Sequence, residues 1–328
     1  MVRRRSLLIA GIAGGALFAL PVRAPAQAVA GPRRVGVLIA SNEKATTSFL
    51  ERFAARLREL GHVPGKDVVI ITRFAESDAG RLPALAKELL DENVDVVWAP
   101  STAAALAVQR LSSRVAIVFQ DYDPVASGLV TSLARPGGNA TGITLGGNII
   151  AAKRVELLNE AFPSIRTLGG MHDPQWITRP ELDHVAAAAR GFGIRLELAE
   201  ATTLAQHLAA VARLQAAGVD AYYVVWTGSS FAVPRDLCAA IRATRLPAMY
   251  GNSVFCDDGG LISYGGQIDL PVKSAEYVDR ILRGASPADL PVQEPTVFEL
   301  VVNLATARAQ GLSIPKATLL RATRLIEK

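Results

Sequence analysis

Short apolar runs alternate with amphipathic stretches in two successive rounds along this chain, and that alternation constrains the fold more than any other feature. Residues 35–40 (VGVLIA) form the kind of run expected of a strand buried on both faces. They lead through Ser41 and Asn42 into a stretch with Phe49, Leu50, Phe53, Leu57 and Leu60 at helical spacing, closed by Gly61. Strands are predicted at 68–72, 94–99 and 115–120, with helices between them. The second round places strands at 167–171, 194–199, 220–226 and 247–250, again separated by helical patterns. Strands alternating with helices give parallel sheets covered on both faces. The expected fold class is therefore α/β, with two doubly wound parallel-sheet lobes joined by a multi-strand hinge.

The segment from 134 to 142 (ARPGGNATG) is dense in turn formers and suits a crossover between lobes. After residue 260 the alternation grows ragged, with strands at 261–264 and 297–303, a helix at 272–282 and a last helix from near Pro315. This tail is expected to recross the hinge and finish each half. The expected boundaries are residues 33–141 plus about 265–290 for the first lobe, and 142–264 plus about 291–328 for the second.

The N-terminal residues speak to compartment rather than fold. Arg3, Arg4 and Arg5 precede a charge-free run at 7–20, and Ala24-Pro25-Ala26 supplies a small-x-small cleavage pattern. That order is the grammar of a secretory signal peptide over residues 1–26, with cutting expected after Ala26 and Ala28-Val29-Ala30 as a second candidate. The apolar run of 14 residues is shorter than the roughly 20 needed to span a bilayer. Arg4-Arg5 also fits twin-arginine export. Without residues 1–26 the chain keeps 31 basic against 30 acidic residues, so no basic face points to nucleic acid. The two cysteines, Cys238 and Cys256, permit a disulfide but do not require one.

In open parallel sheets, ligands bind beyond the carboxyl ends of the strands. The loops there carry Ser41 and Asn42, Ser101 and Thr102, Asp121 and Asp123, Asp173, Trp226 and Thr227, and Tyr250, Asn252 and Ser253, with Tyr264 beyond them. These thirteen are the candidate ligand-binding residues. Ser101 and Thr102 begin a helix, where hydroxyls and backbone N–H groups suit a carboxylate; an N-cap role for them is equally expected. Asp121 and Asp123 suit an ammonium or hydroxyl, with an Asx turn ahead of Pro124 as the other role of Asp123. Trp226, Tyr250 and Tyr264 either stack on a flat ligand or fill the core.

Several segments carry a family resemblance: 123–142 (DPVASGLVTSLARPGGNATG), 57–62 (LRELGH), 81–86 (RLPALA), 152–158 (AKRVELL), 260–265 (GLISYG) and 290–303 (LPVQEPTVFELVVN). In these the chain resembles the ABC-transporter substrate-binding protein family that has tryptophan- and tyrosine-binding members. The resemblance implies a type I periplasmic-binding-protein fold with three crossovers between lobes, no cofactor and no metal. It also implies amino-acid ligands, often aromatic, with the ligand's backbone-like end on Ser41, Ser101, Thr102 and Asp123. Two departures stand out, Tyr122 between two aspartates and Trp226-Thr227-Gly228 in the second lobe.

The function so implied is an extracytoplasmic, monomeric solute-binding protein that delivers a small molecule to an ABC permease and its ATPase, touching the membrane only through that permease. Service to a chemoreceptor or sensor kinase is the alternative. Catalysis is disfavoured, since the chain has no G-x-S-x-G, H-E-x-x-H, C-x-x-C or G-x-x-x-x-G-K-[ST] signature. A sugar-responsive regulator would need an N-terminal helix-turn-helix, and residues 1–32 read as export signal and linker instead.

Overall fold

The computed structural model describes residues 31–174, 179–225 and 227–328. The export signal expected at 1–26 and the candidate Trp226 lie outside the described residues. The chain from Pro32 to Lys328 forms one compact unit built from two lobes.

In the first lobe the chain runs β1 (Arg33–Ile39), α1 (Glu43–Glu59), β2 (Val68–Phe74), α2 (Leu82–Asp91), β3 (Val96–Ala99), α3 (Thr102–Leu111), β4 (Ala116–Asp121) and β5 (Ala140–Thr144). It then crosses into α4 (Gly147–Ala161), β6 (Thr167–His172), α5 (Arg179–Gly191), β7 (Arg195–Glu200), α6 (Leu204–Ala216), β8 (Ala221–Val224), α7 (Gly228–Phe231), α8 (Pro234–Ala243), β9 (Ala248–Tyr250), α9 (Ser253–Asp257) and β10 (Ile262–Gly266). Helix α10 (Leu270–Leu282) returns to the first lobe. The chain ends in the second with β11 (Phe298–Asn303), α11 (Leu304–Gln310), α12 (Lys316–Arg321) and β12 (Arg324–Ile326).

The first sheet has the order β2-β1-β3-β4-β5 and is parallel throughout. The second has the order β12-β11-β10-β9-β8-β6-β7, parallel except where β10 and β11 pair antiparallel. The apolar runs explain the layering, because successive side chains of a strand point to opposite faces. Val35, Val37, Val96, Trp98 and Val118 join one core, which α10 completes with Ala275, Tyr277 and Val278. Leu38, Val97, Ala99, Ile117 and Phe119 join the core on the other face, under α2 and α3. In the second sheet Tyr223 and Met249 face one core while Tyr222, Val224 and Tyr250 face the other. A strand buried on both faces must read as an unbroken apolar run, as these do.

The segment read as a crossover differs in the structure. Residues 140–142 begin β5, which pairs with β4 from Ile117↔Ala140 to Asp121↔Thr144. The first crossover follows it, at residues 145–146. The second lies at 267–269 between β10 and α10. The third leaves the edge of β5, where Thr144 N–H donates to Gln293 O at 2.9 Å and Gln293 N–H to Gly142 O at 2.8 Å, and reaches β11.

Candidate functional site

The carboxyl ends of both sheets face a cavity of about 280 Å3 between the lobes. The first lobe contributes Ser41 after β1, Pro100, Ser101 and Thr102 between β3 and α3, and Gln120, Asp121 and Tyr122 at the end of β4. One stripe of α1, Thr46, Phe49 and Arg52 at i, i+3 and i+6, adds a wall. The second lobe contributes Thr227, Gly228, Asn252 and Val254, and the crossovers add Leu145 and residues 268–271.

Each polar group is held by local geometry. Ser101 is the N-cap of α3, its hydroxyl accepting from Ala104 N–H at 3.3 Å, and it also lines the cavity. Capping and site-lining thus coexist on one side chain. Thr227 caps α7 through a reciprocal box with Ser230, and Asn252 caps α9 by accepting from Val254 N–H at 3.0 Å. The short polar residues favoured at helix starts therefore also form the cavity's polar lining.

Asp121 is the dominant charge. It is 2 % exposed. Its carboxylate accepts from the Thr102 side chain, from Ser127 Oγ at 3.0 Å and from Asp123 N–H at 2.6 Å. Burial pushes its pKa up from 3.8 to about 6, against the opposing pull of those donors. Desolvation outweighs hydrogen bonding here. Phe49 supplies apolar surface, stacked on buried Trp98 at 5.1 Å, which in turn stacks on Phe53 at 4.0 Å. Arg52 pairs with Asp269, the N-cap of α10, at the cavity wall.

Of the sequence candidates, Ser41, Ser101, Thr102, Asp121, Thr227 and Asn252 are brought together on this cavity. The other described candidates are placed elsewhere. Asn42 uses its backbone carbonyl to accept from Thr46 Oγ1 at 2.9 Å. Asp123 accepts from Ala126 N–H at 3.0 Å, three residues on, while the two-residue Asx bond expected of it is made instead by Asp121, which accepts from Asp123 N–H. Asp173 is buried beyond the end of β6. Tyr250 lies in the second lobe's core, stacked on Phe255 at 5.2 Å. Ser253 is the first residue of α9, and Tyr264 stacks on Phe298 at 5.9 Å in the hinge strands.

The sequence pattern of the family described as ABC transporter substrate binding protein matches residues 34–326, nearly the whole of the described chain. The chain belongs to that family. Among curated proteins it is similar to a tyrosine-binding protein of Clostridioides difficile, 22% identical over 260 residues that span 78% of this chain and 74% of the relative. Among solved structures it is similar to a conserved domain protein of Vibrio cholerae, with a TM-score of 0.79 and 26% identity over 89% of this chain and 99% of that one. An ABC domain solved in complex with L-Trp, from Streptococcus pneumonia, gives 0.77 and 23% over 90% and 100%. The family is one of solute-binding proteins with an α/β fold of two lobes.

For this substrate-binding protein the sequence missed Phe49, Arg52 and Asp269 as cavity-lining residues, whereas Tyr122, noted as a departure between two aspartates, does line the cavity. Phe49 packs against the core beside Leu50, Phe53 and Leu57 as its spacing predicts, and it also lines the cavity with Thr46 and Arg52. Thr46 and Arg52 flanking Phe49 at i±3 were the available signal. Asp269 was legible as an N-cap, since Leu270-Pro271 behind it marks a helix start.

Proposed function

We propose that this chain is the extracytoplasmic solute-binding protein of an ABC importer, capturing an amino acid or a related aromatic, carboxylate-bearing molecule between its lobes. One observation carries the reading: a buried carboxylate and a helix N-terminus are neighbours on the wall of the interlobe cavity. Thr102, the first residue of α3, bonds Asp121 directly. An α-amino acid carries its ammonium and carboxylate on one carbon. Its ammonium would pair with Asp121, and its carboxylate would take the hydroxyls and N–H groups at the start of α3. Phe49, Tyr122 and Leu145 offer surface to an apolar or aromatic side chain. The tyrosine-binding relative and the L-Trp complex support the same class.

Ligand affinity in such a cleft comes from enclosing apolar surface while satisfying the polar ends out of water. The lobes move about three crossovers, and hinge closure over ligand is the expected motion. The closed form is the one a membrane permease and its ATPase would take up. The protein acts as a monomer in the periplasm after cleavage near Ala26. A thermal-shift screen of the chain from Gln27, with amino acids, aromatic acids and nucleosides, tests this, since a ligand that binds the folded state raises its melting temperature by mass action. L-tyrosine or L-tryptophan should give the largest shifts. No shift with any amino acid or aromatic acid would refute the ligand class.

A further inference from the structure

Arg154 on α4 is a guanidinium buried to 4 % exposure, and its bonding partners among the described residues are two backbone carbonyls. Nε donates to Tyr264 O at 2.6 Å, and Nη2 donates to Gly251 O at 2.8 Å. Those carbonyls hold a particular place in the second sheet. Strands β9 and β10 pair in parallel at Ile262↔Met249 and Ser263↔Tyr250, and their paired register stops there. Gly251 and Tyr264 are the next residues on each strand, at the point where the two chains part. Arg154 bridges them where the ladder ends.

The crowding at this point is tight. A Cβ on Gly265 would lie 2.5 Å from Gly251 O and 3.7 Å from Arg154 Nη2, so the two backbones approach as closely as glycine allows. From the fork, one chain runs through Gly251 to Asn252 and Val254. The other runs through Gly266 to the second crossover and Asp269. Both branches line the interlobe cavity. A buried cation is costly unless its hydrogen bonds are satisfied, and this one gives its donors to the two segments that form the cavity's far wall.

We propose that Arg154 is a positioning residue for the ligand site: it sets the separation of the loop at 251–254 from the crossover at 264–270, and through them the shape of the closed cavity. Lysine cannot replace it, because an ammonium is a point donor while the planar fork reaches two acceptors at once. Only the affinity expectation rests on reading the cavity as an amino-acid site.

The test compares wild type with Arg154→Lys and Arg154→Ala. In the ligand-free protein, amide hydrogen exchange should rise about tenfold at residues 251–258 and 264–270 in both variants, the scale set by losing a charge-assisted hydrogen bond. Strands β6 and β8 should keep their protection. Calorimetry with L-tyrosine and L-tryptophan should show binding weakened by about tenfold, a loss larger than any fall in melting temperature accounts for. Millimolar methylguanidinium should restore protection to Arg154→Ala but not to Arg154→Lys. Unchanged exchange at the fork, or a uniform rise across the whole second lobe, would overturn the proposal. Should wild type bind neither amino acid, the reading of the cavity fails while the exchange comparison still decides the role of Arg154.

Discussion

His184 Nε2 lies 3.0 Å from Asp123 Oδ2, and this contact ties helix α5 of the second lobe to the loop after β4 in the first. Asp123 donates its own N–H to Asp121 Oδ1 at 2.6 Å, so the residue that meets the opposite lobe also braces the cavity's buried acid.

Replacing His184 by alanine should therefore loosen the lobes without touching the cavity. The pair is partly exposed, 32% on the histidine and 18% on the aspartate, so its contribution is held to about 1 kcal/mol or less. Dissociation of bound L-tryptophan should quicken by up to about fivefold, with little change in association. Stopped-flow fluorescence measures both rates. An unaltered dissociation rate would mean that other contacts hold the lobes together.

The layered α/β fold was legible because strands buried on both faces have to be written as continuous apolar runs, and residues 35–40, 115–119 and 221–226 all are. The first helix was legible from its spacing and from Gly61. Strand β5 was not, because Gly142 and two threonines sit in a stretch of turn formers, and its strand character comes from β4 beside it rather than from its own residues. The short elements α9 and β12, five and three residues long, are likewise fixed by their neighbours. In the site, strand-end position located Ser41, Ser101, Thr102, Asp121, Thr227 and Asn252. Position alone does not say which way a side chain turns, which is why Tyr250 was grouped with them although it packs into the core. The spacing at 46, 49 and 52 marks a face of α1, but that this face borders a cavity depends on how the chain's tail recrosses the hinge, a long-range relation.

His207 on α6 is 1 % exposed, and neither ring nitrogen has a hydrogen-bond partner among the described residues. Burial pushes its pKa down from 6.5 to about 4. The folded protein thus binds this proton less readily than the unfolded chain. Stability is complete above pH 6.5 and is lost as pH falls toward 4, by on the order of 3 kcal/mol over that window. His207→Leu should flatten this part of the profile. It should also stabilise the protein at neutral pH by about 1 kcal/mol, since it removes two unpaired buried nitrogens. Urea denaturation at pH 7 and pH 4.5 measures both effects. An acid response of the same slope in the variant would assign the loss to other groups.

Gly142 faces Phe119 across the β4–β5 ladder, and a Cβ there would fall 2.1 Å from Phe119 O. The obstacle is backbone, which cannot rotate away. Gly142→Ala should push β5 off the first sheet and disturb the first and third crossovers together, because Gly142 O also accepts from Gln293 N–H. A loss of about 3 kcal/mol or more is expected, in the range of strained or overpacked cores. Chemical denaturation gives the figure. A variant as stable as wild type would show that the strand can shift to accept a side chain.

Asp121 should trade stability against binding. Its carboxyl has a pKa of about 6 in the folded protein against 3.8 ordinarily, so it is charged at pH 7 at a cost to the fold. That cost is absent below pH 3.8 and grows as pH rises to 6, reaching on the order of 3 kcal/mol. Asp121→Asn, which keeps the shape and an acceptor for Asp123 N–H, should accordingly raise the melting temperature of the ligand-free protein at pH 7.5. The charge is what an amino acid's ammonium needs, so the same variant should bind L-tyrosine or L-tryptophan at least tenfold more weakly, as expected when a buried charged hydrogen bond is lost. In wild type, affinity should fall as pH drops through 6, because protonation removes the negative partner. The variant should show no such dependence. Calorimetry from pH 5 to pH 8 on both proteins separates the two effects. Equal affinity in the two proteins at every pH would place the ligand's ammonium somewhere other than Asp121.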